Sequence, residues 1–313
     1  MLATDPKKRY KKKRVIGRGG YGKIYEIEDL LNNRTYALKK MLIDEERGVE
    51  FTTIREISIL RQLNHPGIIK IREVWVEKGR KLCVKMDYFD TDLSRLLDAK
   101  KFETTQADTQ YIMYHVLSSV AHLHANFLLH RDIKPPNYVV NKEGEIVLID
   151  FGLSRKFGSP GQHLTKNVIT RWYKPPEILF GARFYSEKVD VWSCGCIFAE
   201  CFLGEPLFAG GSDIDMLSKI FGIRGTPSAT NWPDAVKLPN YFPFQERKEL
   251  PLSNLLVNAS PEAVALIDSM LQLDPNRRPS IAEVLESPFF EDKESYKPQF
   301  AAKVKAFLQS PGS

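Results

Sequence analysis

The apolar period of this 313-residue chain changes once, near residue 90, and that change constrains the fold more than any other feature. Before it, the β-branched and aromatic runs RVIG (14–17), KIYEIED (23–29) and RTYALKK (34–40) are separated by glycines and by Leu31-Asn32-Asn33-Arg34, which reads as a hairpin turn. They predict a small antiparallel sheet. Phe51, Ile54, Ile57, Leu60 and Leu63 then recur at three-residue steps and stop at Asn64-His65-Pro66, as one helix ended by a proline does. Two further strands are expected over 68–76 and 81–88.

Past Asp92 helical spacing dominates. Met113, Val116, Val120 and Leu123 share a face, and the segments 190–202, 213–221, 261–273 and 281–289 are similar. Between them, 150–177 is long for a loop without structure of its own, and such loops are usually functional or disordered. The expected class is α+β: a small β-rich lobe with one main helix joined to a larger, mostly helical lobe. The expected boundaries are a basic extension over 1–12, a first lobe over 13–88, a connecting hinge over 89–92, a second lobe over 93–290 and a short polar tail over 291–313.

With 43% hydrophobic and 27% charged residues, the composition excludes disordered and collagen-like chains. No stretch approaches the ~18 consecutive apolar residues of a membrane span, and the N-terminus offers no secretory core, so the expected address is nuclear or cytoplasmic, away from membranes. Cys83, Cys194, Cys196 and Cys201 lack the partners of a metal ligand set and read as reduced, buried thiols. The net charge is +6, but the run KKRYKKKR (7–14) holds seven basic residues, and +6 less seven leaves the rest at −1. That run reads either as a solvated strand edge or as a nuclear-import or polyanion patch, and direct nucleic-acid binding is not expected from the body of the chain.

The glycines of Gly17-Arg18-Gly19-Gly20-Tyr21-Gly22 admit three readings. A dinucleotide fingerprint needs a helix after the glycines, but the following KIYEIED reads as a strand. A P-loop needs a hydroxyl residue where Ile24 stands. A strand-glycine-strand hairpin laying backbone N–H groups over nucleotide phosphates needs what is present. Lys39, ending Tyr36-Ala37-Leu38-Lys39, would reach the phosphates if a carboxylate one helix away held its ammonium, and Glu56 is that candidate.

His130-Arg131-Asp132-Ile133-Lys134-Pro135-Pro136-Asn137 is far more specific, because its polar residues fall at fixed offsets from one aspartate. Asp132 can accept the proton of a substrate hydroxyl, Lys134 can steady a transferring phosphoryl group, and Asn137 is placed to bind Mg²⁺. Asp150, in Asp150-Phe151-Gly152, supplies the second hard oxygen ligand that phosphate-bridging Mg²⁺ needs. His130 reads as a packed core histidine, and His115, His122 and His124 as structural or exposed.

With these motifs in order, the chain resembles the eukaryotic protein kinases from about residue 13 to 290. The resemblance implies a bilobal fold, with ATP and Mg²⁺ as cofactor and metal and with protein substrates. It implies that Ile16, Gly17, Gly19, Gly22, Ile24, Ala37, Lys39, Met86, Asp87, Phe89, Asp92 and Val139 hold the nucleotide. It also implies that Asp190 ties down the catalytic loop, that Glu177 pairs with Arg278, and that Thr170 belongs to the catalytic set. Leu60, Ile71, His130 and Phe151 match side chains that align the lobes of active kinases.

Within that family the chain is similar to the cyclin-dependent kinases. FTTIREISIL (51–60) is similar to their cyclin-binding helix, with an altered lead. Arg171 departs from the leucine of the cell-cycle members, and the Thr-x-Tyr switch of mitogen-activated kinases is absent because Asn167 holds the tyrosine's place. The stretches 155–186 and 221–241 most resemble the CDK-activating branch associated with cyclin H and transcription factor IIH, while LHANFLLHRD (123–132) is also similar to the mediator-associated kinase. A cyclin, in the nearest case cyclin H-like, and an assembly factor are the implied partners. Regulation is implied at Thr165, Ser159 and Tyr21, with Arg55, Arg131 and Arg155 to receive a phosphate on Thr165. The rival from another class is a catalytically silent kinase scaffold, which the complete set Lys39, Glu56, Asp132, Asn137 and Asp150 argues against.

Overall fold

The computed structural model describes residues 9–19, 22–98, 102–157 and 171–310, and they form two compact units. The first comprises residues up to Asp90 together with Ile149–Gly152; the second comprises Thr91–Leu148 and the residues from Leu153 onward.

The first unit is a five-stranded antiparallel sheet with one helix. Its strands are β1 (Tyr10–Gly19), β2 (Gly22–Asp29), β3 (Arg34–Leu42), β4 (Ile71–Glu77) and β5 (Lys81–Asp87), in the order β1-β2-β3-β5-β4. Alternation along β3 sends Leu38 to one face, with Tyr10, Ile27 and Cys83, and Met41 to the other, with Leu82 and Val84. Helix α1 (Phe51–Gln62) packs Ile57 against the second cluster and buries Thr53 and Leu60. The three-residue stripe is therefore only half core: Phe51 and Ile54 stand 68% and 51% exposed.

The basic run is not a detached extension, because strand β1 already begins at Tyr10. Its partner β2 is acidic, and cross-strand ion pairs join Arg9 to Asp29 (2.8 Å), Lys13 to Glu28 (3.7 Å) and Arg14 to Glu26 (2.7 Å). The Lys12 ammonium lies 4.3 Å above the Tyr25 ring. Four of the basic side chains thus serve strand pairing.

The second unit is helical. Its small sheet pairs β6 (Thr91–Asp92) with β8 (Tyr138–Val140) and β8 with β9 (Ile146–Leu148), while β7 (Leu128–Leu129) pairs with β10 (Arg155–Lys156). The helices are α2 (Leu93–Leu97), α3 (Gln106–Ala125), α4 (Pro176–Leu179), α5 (Lys188–Leu203), α6 (Asp213–Arg224), α7 (Pro261–Met270), α8 (Ile281–Leu285) and α9 (Lys297–Leu308). Helix α3 starts at a capping box between Thr105 and Asp108, and α5 is buried nearly all round. Cys194, Cys196 and Cys201 lie on α5; all four cysteines are unpaired and buried, and burial pushes these three thiols well up.

A polar tail after residue 290 was the expectation, and the structure differs. Phe300, Val304 and Phe307 recur at helical spacing and are buried, so 297–308 folds as α9 against α3. Phe102 meets Phe300 and Phe307 edge-on, and Lys303 donates to Asp108. Among the described residues, no helix is long and apolar enough to cross a membrane.

Candidate active site

In the first unit, antiparallel register places Ile24 opposite Lys39 and Lys39 opposite Val84, so the lysine projects from the α1 face of the sheet. Its ammonium meets Glu56 at 2.7 and 3.0 Å, both side chains being largely buried. A cleft beside this pair is lined by Thr53, Leu60, Ile71 and Met86. Gly17 faces Ile24 and Gly19 faces Gly22 across the β1–β2 hairpin. Gly22 has no alternative residue, since a Cβ there would lie 2.0 Å from the Lys40 carbonyl oxygen.

Ala37 stands between Glu26 and Met86 in one cross-strand row, and Ile16 is 39% exposed on β1. Asp87 ends β5 with its carboxylate bound on both oxygens by Arg72, at 2.7 Å each, and Phe89 lies two residues beyond. Asp150 also belongs to this unit. Its backbone is left-handed (φ 64°), a conformation costly for a residue other than glycine and concentrated at functional positions.

In the second unit, the catalytic-loop candidates converge. Lys134 Nζ lies 2.7 Å from Asp132 Oδ2, and the Asn137 amide donates to that same oxygen (3.0 Å) and to the Asp132 backbone carbonyl (2.7 Å). The amide hydrogens of Asn137 are thus engaged by Asp132, which leaves its carbonyl oxygen as the atom suited to a hard cation. The Asp132 N–H donates to His130 Nδ1 (3.3 Å), and His130 is fully buried, as a packed core histidine should be. Arg131, just before, also has a left-handed backbone (φ 67°).

What holds this loop is Asp190 on α5. Its carboxylate accepts the backbone N–H groups of His130 and Arg131, both at 2.9 Å, and the ring Nε2 of His124 at 3.1 Å. Burial opposes its charge, but the hydrogen bonds and the nearby histidines outweigh burial, so its carboxyl titrates below the usual range. The role of His124 was not legible from its place in a helical repeat. Only the offset from Asp190, 66 residues on, gives it meaning.

Asp92 caps α2, accepting from the Arg95 N–H, and Val139 sits opposite it on β8. Arg278 grips Glu177 at 2.7 and 2.8 Å, the pairing expected from the resemblance. Arg131 donates to the Leu153 carbonyl and to Tyr185, and Arg155 keeps a buried Nε without a partner among the described residues. Arg55 rests 4.7 Å over the Phe51 ring. Tyr21, Ser159, Thr165 and Thr170 lie outside the described residues. Among the described residues, no cluster of three His, Cys, Asp or Glu side chains could hold a resident metal.

The model of the protein kinase domain matches residues 10–290. The chain belongs to the protein kinase family. With the family comes the enzyme class, a protein serine/threonine kinase. This kinase is 40% identical over 290 residues to Cyclin-dependent kinase D-1 of Arabidopsis thaliana, covering 91% of this chain and 73% of the relative. It is 39% identical over 283 residues to Cyclin-dependent kinase D-1 of Oryza sativa subsp. indica, covering 90% and 66%. Among solved structures, a chain of the CAK complex from Chaetomium thermophilum bound to ATP-gamma-S superimposes with a TM-score of 0.84 at 34% identity, covering 91% of this chain and 92% of that one.

Proposed function

We propose that this kinase transfers the γ-phosphoryl group of Mg²⁺-bound ATP to serine or threonine hydroxyls of proteins, works with a cyclin of the cyclin H type, and acts as a CDK-activating or RNA polymerase II tail kinase. The observation that carries the chemistry is the Asp132 carboxylate held by Lys134 and Asn137. Two donors fix the orientation of this carboxylate as a base for a substrate hydroxyl, and Lys134 brings positive charge to where the phosphoryl group passes. Asn137 in the second unit and Asp150 in the first each offer an oxygen of the kind Mg²⁺ would take, since this ion takes one or two protein oxygens and completes its shell with phosphates and water. When bound, the ion would neutralise phosphate charge.

The similarity to cyclin-dependent kinase D-1 over nine-tenths of the chain supports the branch, and the exposed Phe51 and Ile54 on α1 suit a partner surface. Phosphorylation of Thr165 would bring a dianion for Arg131, Arg155 and Arg55, and the unsatisfied Nε of Arg155 supports that role. Ser159-Pro160 and Tyr21 are further candidate sites of modification, and an assembly factor is an alternative to Thr165 phosphorylation. A nuclear or cytoplasmic site of action accords with these partners.

The test is phosphate transfer from labelled ATP to Ser/Thr peptides, with and without purified cyclins. Transfer that depends on Mg²⁺ and rises with a cyclin H-type partner is expected. No transfer with any cyclin, together with intact ATP binding, would leave the scaffold reading in its place.

A further inference from the structure

Strand β1 leaves register with β2 twice, between Lys12 and Arg14 and again between Val15 and Gly17. Such irregularities bend a strand and re-aim its side chains. Arg14 and Val15 are therefore a two-residue paired island, directly before the glycines, in a strand otherwise loosened on both sides. Arg14 opposes Glu26, which opposes Ala37, which opposes Met86. Directly opposed residues share a face, so Arg14 stands on the face to which the nucleotide residues Ala37 and Met86 belong.

The Arg14 side chain makes two contacts there. Its Nε lies 2.7 Å from Glu26 Oε2, and a terminal nitrogen donates to the Tyr88 hydroxyl at 3.2 Å. Tyr88 is the first residue after β5, and its neighbour Asp87 is braced by the Nε and one terminal nitrogen of Arg72. The guanidinium therefore joins the strand that leads into the glycine turn to the segment that follows β5. A planar guanidinium holds two acceptors in one fixed geometry, which an ammonium on a flexible stem does not impose.

We propose that Arg14 is a positioning residue for the nucleotide: it clamps the base of the glycine turn to Tyr88 and so fixes the two backbone stretches that flank the adenine end of the site. The inference rests on the ATP reading above. The side chain touches no reacting atom, so its effect falls on nucleotide affinity and leaves the chemical step alone.

The experiment compares Arg14→Ala, Arg14→Lys, Tyr88→Phe and the Arg14→Ala/Tyr88→Phe double variant in the full chain. It measures ATP binding, the KM for ATP with kcat, and amide hydrogen exchange over 15–24 and 88–89 without nucleotide. For an exposed link, Arg14→Ala and Tyr88→Phe should each raise the ATP Kd and KM by about threefold to fivefold with kcat held. Both should speed exchange in both stretches. The double variant should be no worse than Arg14→Ala, because one link is being cut twice, and Arg14→Lys should keep most of the defect.

Additive effects, full rescue by lysine, or exchange that changes in one stretch only would overturn the clamp. A wild type that binds no ATP would overturn the nucleotide reading instead, and the exchange arm would still decide whether Arg14 ties the two stretches.

Discussion

The Tyr173 hydroxyl donates a 2.8 Å hydrogen bond to Glu200 in a site where both side chains are buried. The Tyr173 carbonyl also accepts from Ser193, so α5 holds both ends of the residue that closes the 171–173 turn. Burial, and to a smaller degree Asp98 at the end of α2, push the Glu200 carboxyl up to about 7, although Tyr173 pulls the other way.

A titration follows from that carboxyl. A carboxyl that holds its proton more tightly folded than unfolded lowers stability as pH rises from its unfolded value, near 4.5, through its folded one, near 7. Thermal or urea unfolding should show wild type losing roughly 3 kcal/mol across this window. Glu200→Gln should be flat over the same range. Equal pH slopes for the two proteins would remove Glu200 as the titrating group.

Asp132→Asn should lower turnover at least ~10²-fold while the ATP Kd stays within about threefold, because the base orients the attacking hydroxyl and the nucleotide is held elsewhere. Parallel single-turnover and nucleotide-binding measurements check it. Retention of more than about a tenth of the wild-type rate would mean another group is the base.

Arg278→Ala strands a buried carboxylate. Glu177 then has no cation, and unfolding by denaturant should show a loss of about 3 to 5 kcal/mol. Removing Glu177 as well should return part of it. A double variant as unstable as the sum of the singles would show that the pair is not coupled.

Lys39 and Glu56 are in contact in the chain alone, and α1 leaves Phe51 and Ile54 exposed. Adding a cognate cyclin should raise kcat/KM at least about tenfold by holding α1 in this paired arrangement. Turnover unchanged by every cyclin tried would sink the cyclin-dependent assignment and spare the kinase one.

Thr165→Ala should lower activity and leave residues 150–177 more sensitive to protease than in phosphorylated wild type, since three guanidiniums then lack their dianion. Ser159→Ala is the comparison. Equal activity and equal protection for Thr165→Ala, with no assembly factor present, count against the arginine switch.

Much of this was legible in the sequence because local rules carried it. Period-2 runs and the Asn32-Asn33 turn located β1 to β3, three-residue steps located α1, and fixed offsets located Asp132, Lys134 and Asn137. What escaped was set by residues far apart in the chain. His124 reads as one more helical residue until Asp190 is beside it, and Arg14 reads as one charge in a run until Glu26 and Tyr88 take its two donors. Helix α9 escaped for another reason: its apolar residues are broken up by Lys303 and Lys305, and the surface they cover belongs to α3 and Phe102.

Helix α9 carries the packed interior past the family boundary. Resemblance to the kinase domain stops at 290, yet the aromatic seal around Phe102 is completed only by Phe300 and Phe307, and Gly144 leaves just enough room for Ala301, whose Cβ a Gly144 side chain would meet at 3.1 Å. The unit that folds is therefore longer than the unit that is recognised. A break made at the family boundary removes Phe300, Val304 and Phe307 from the interior and uncovers the faces of Phe102 and α3 that they seal.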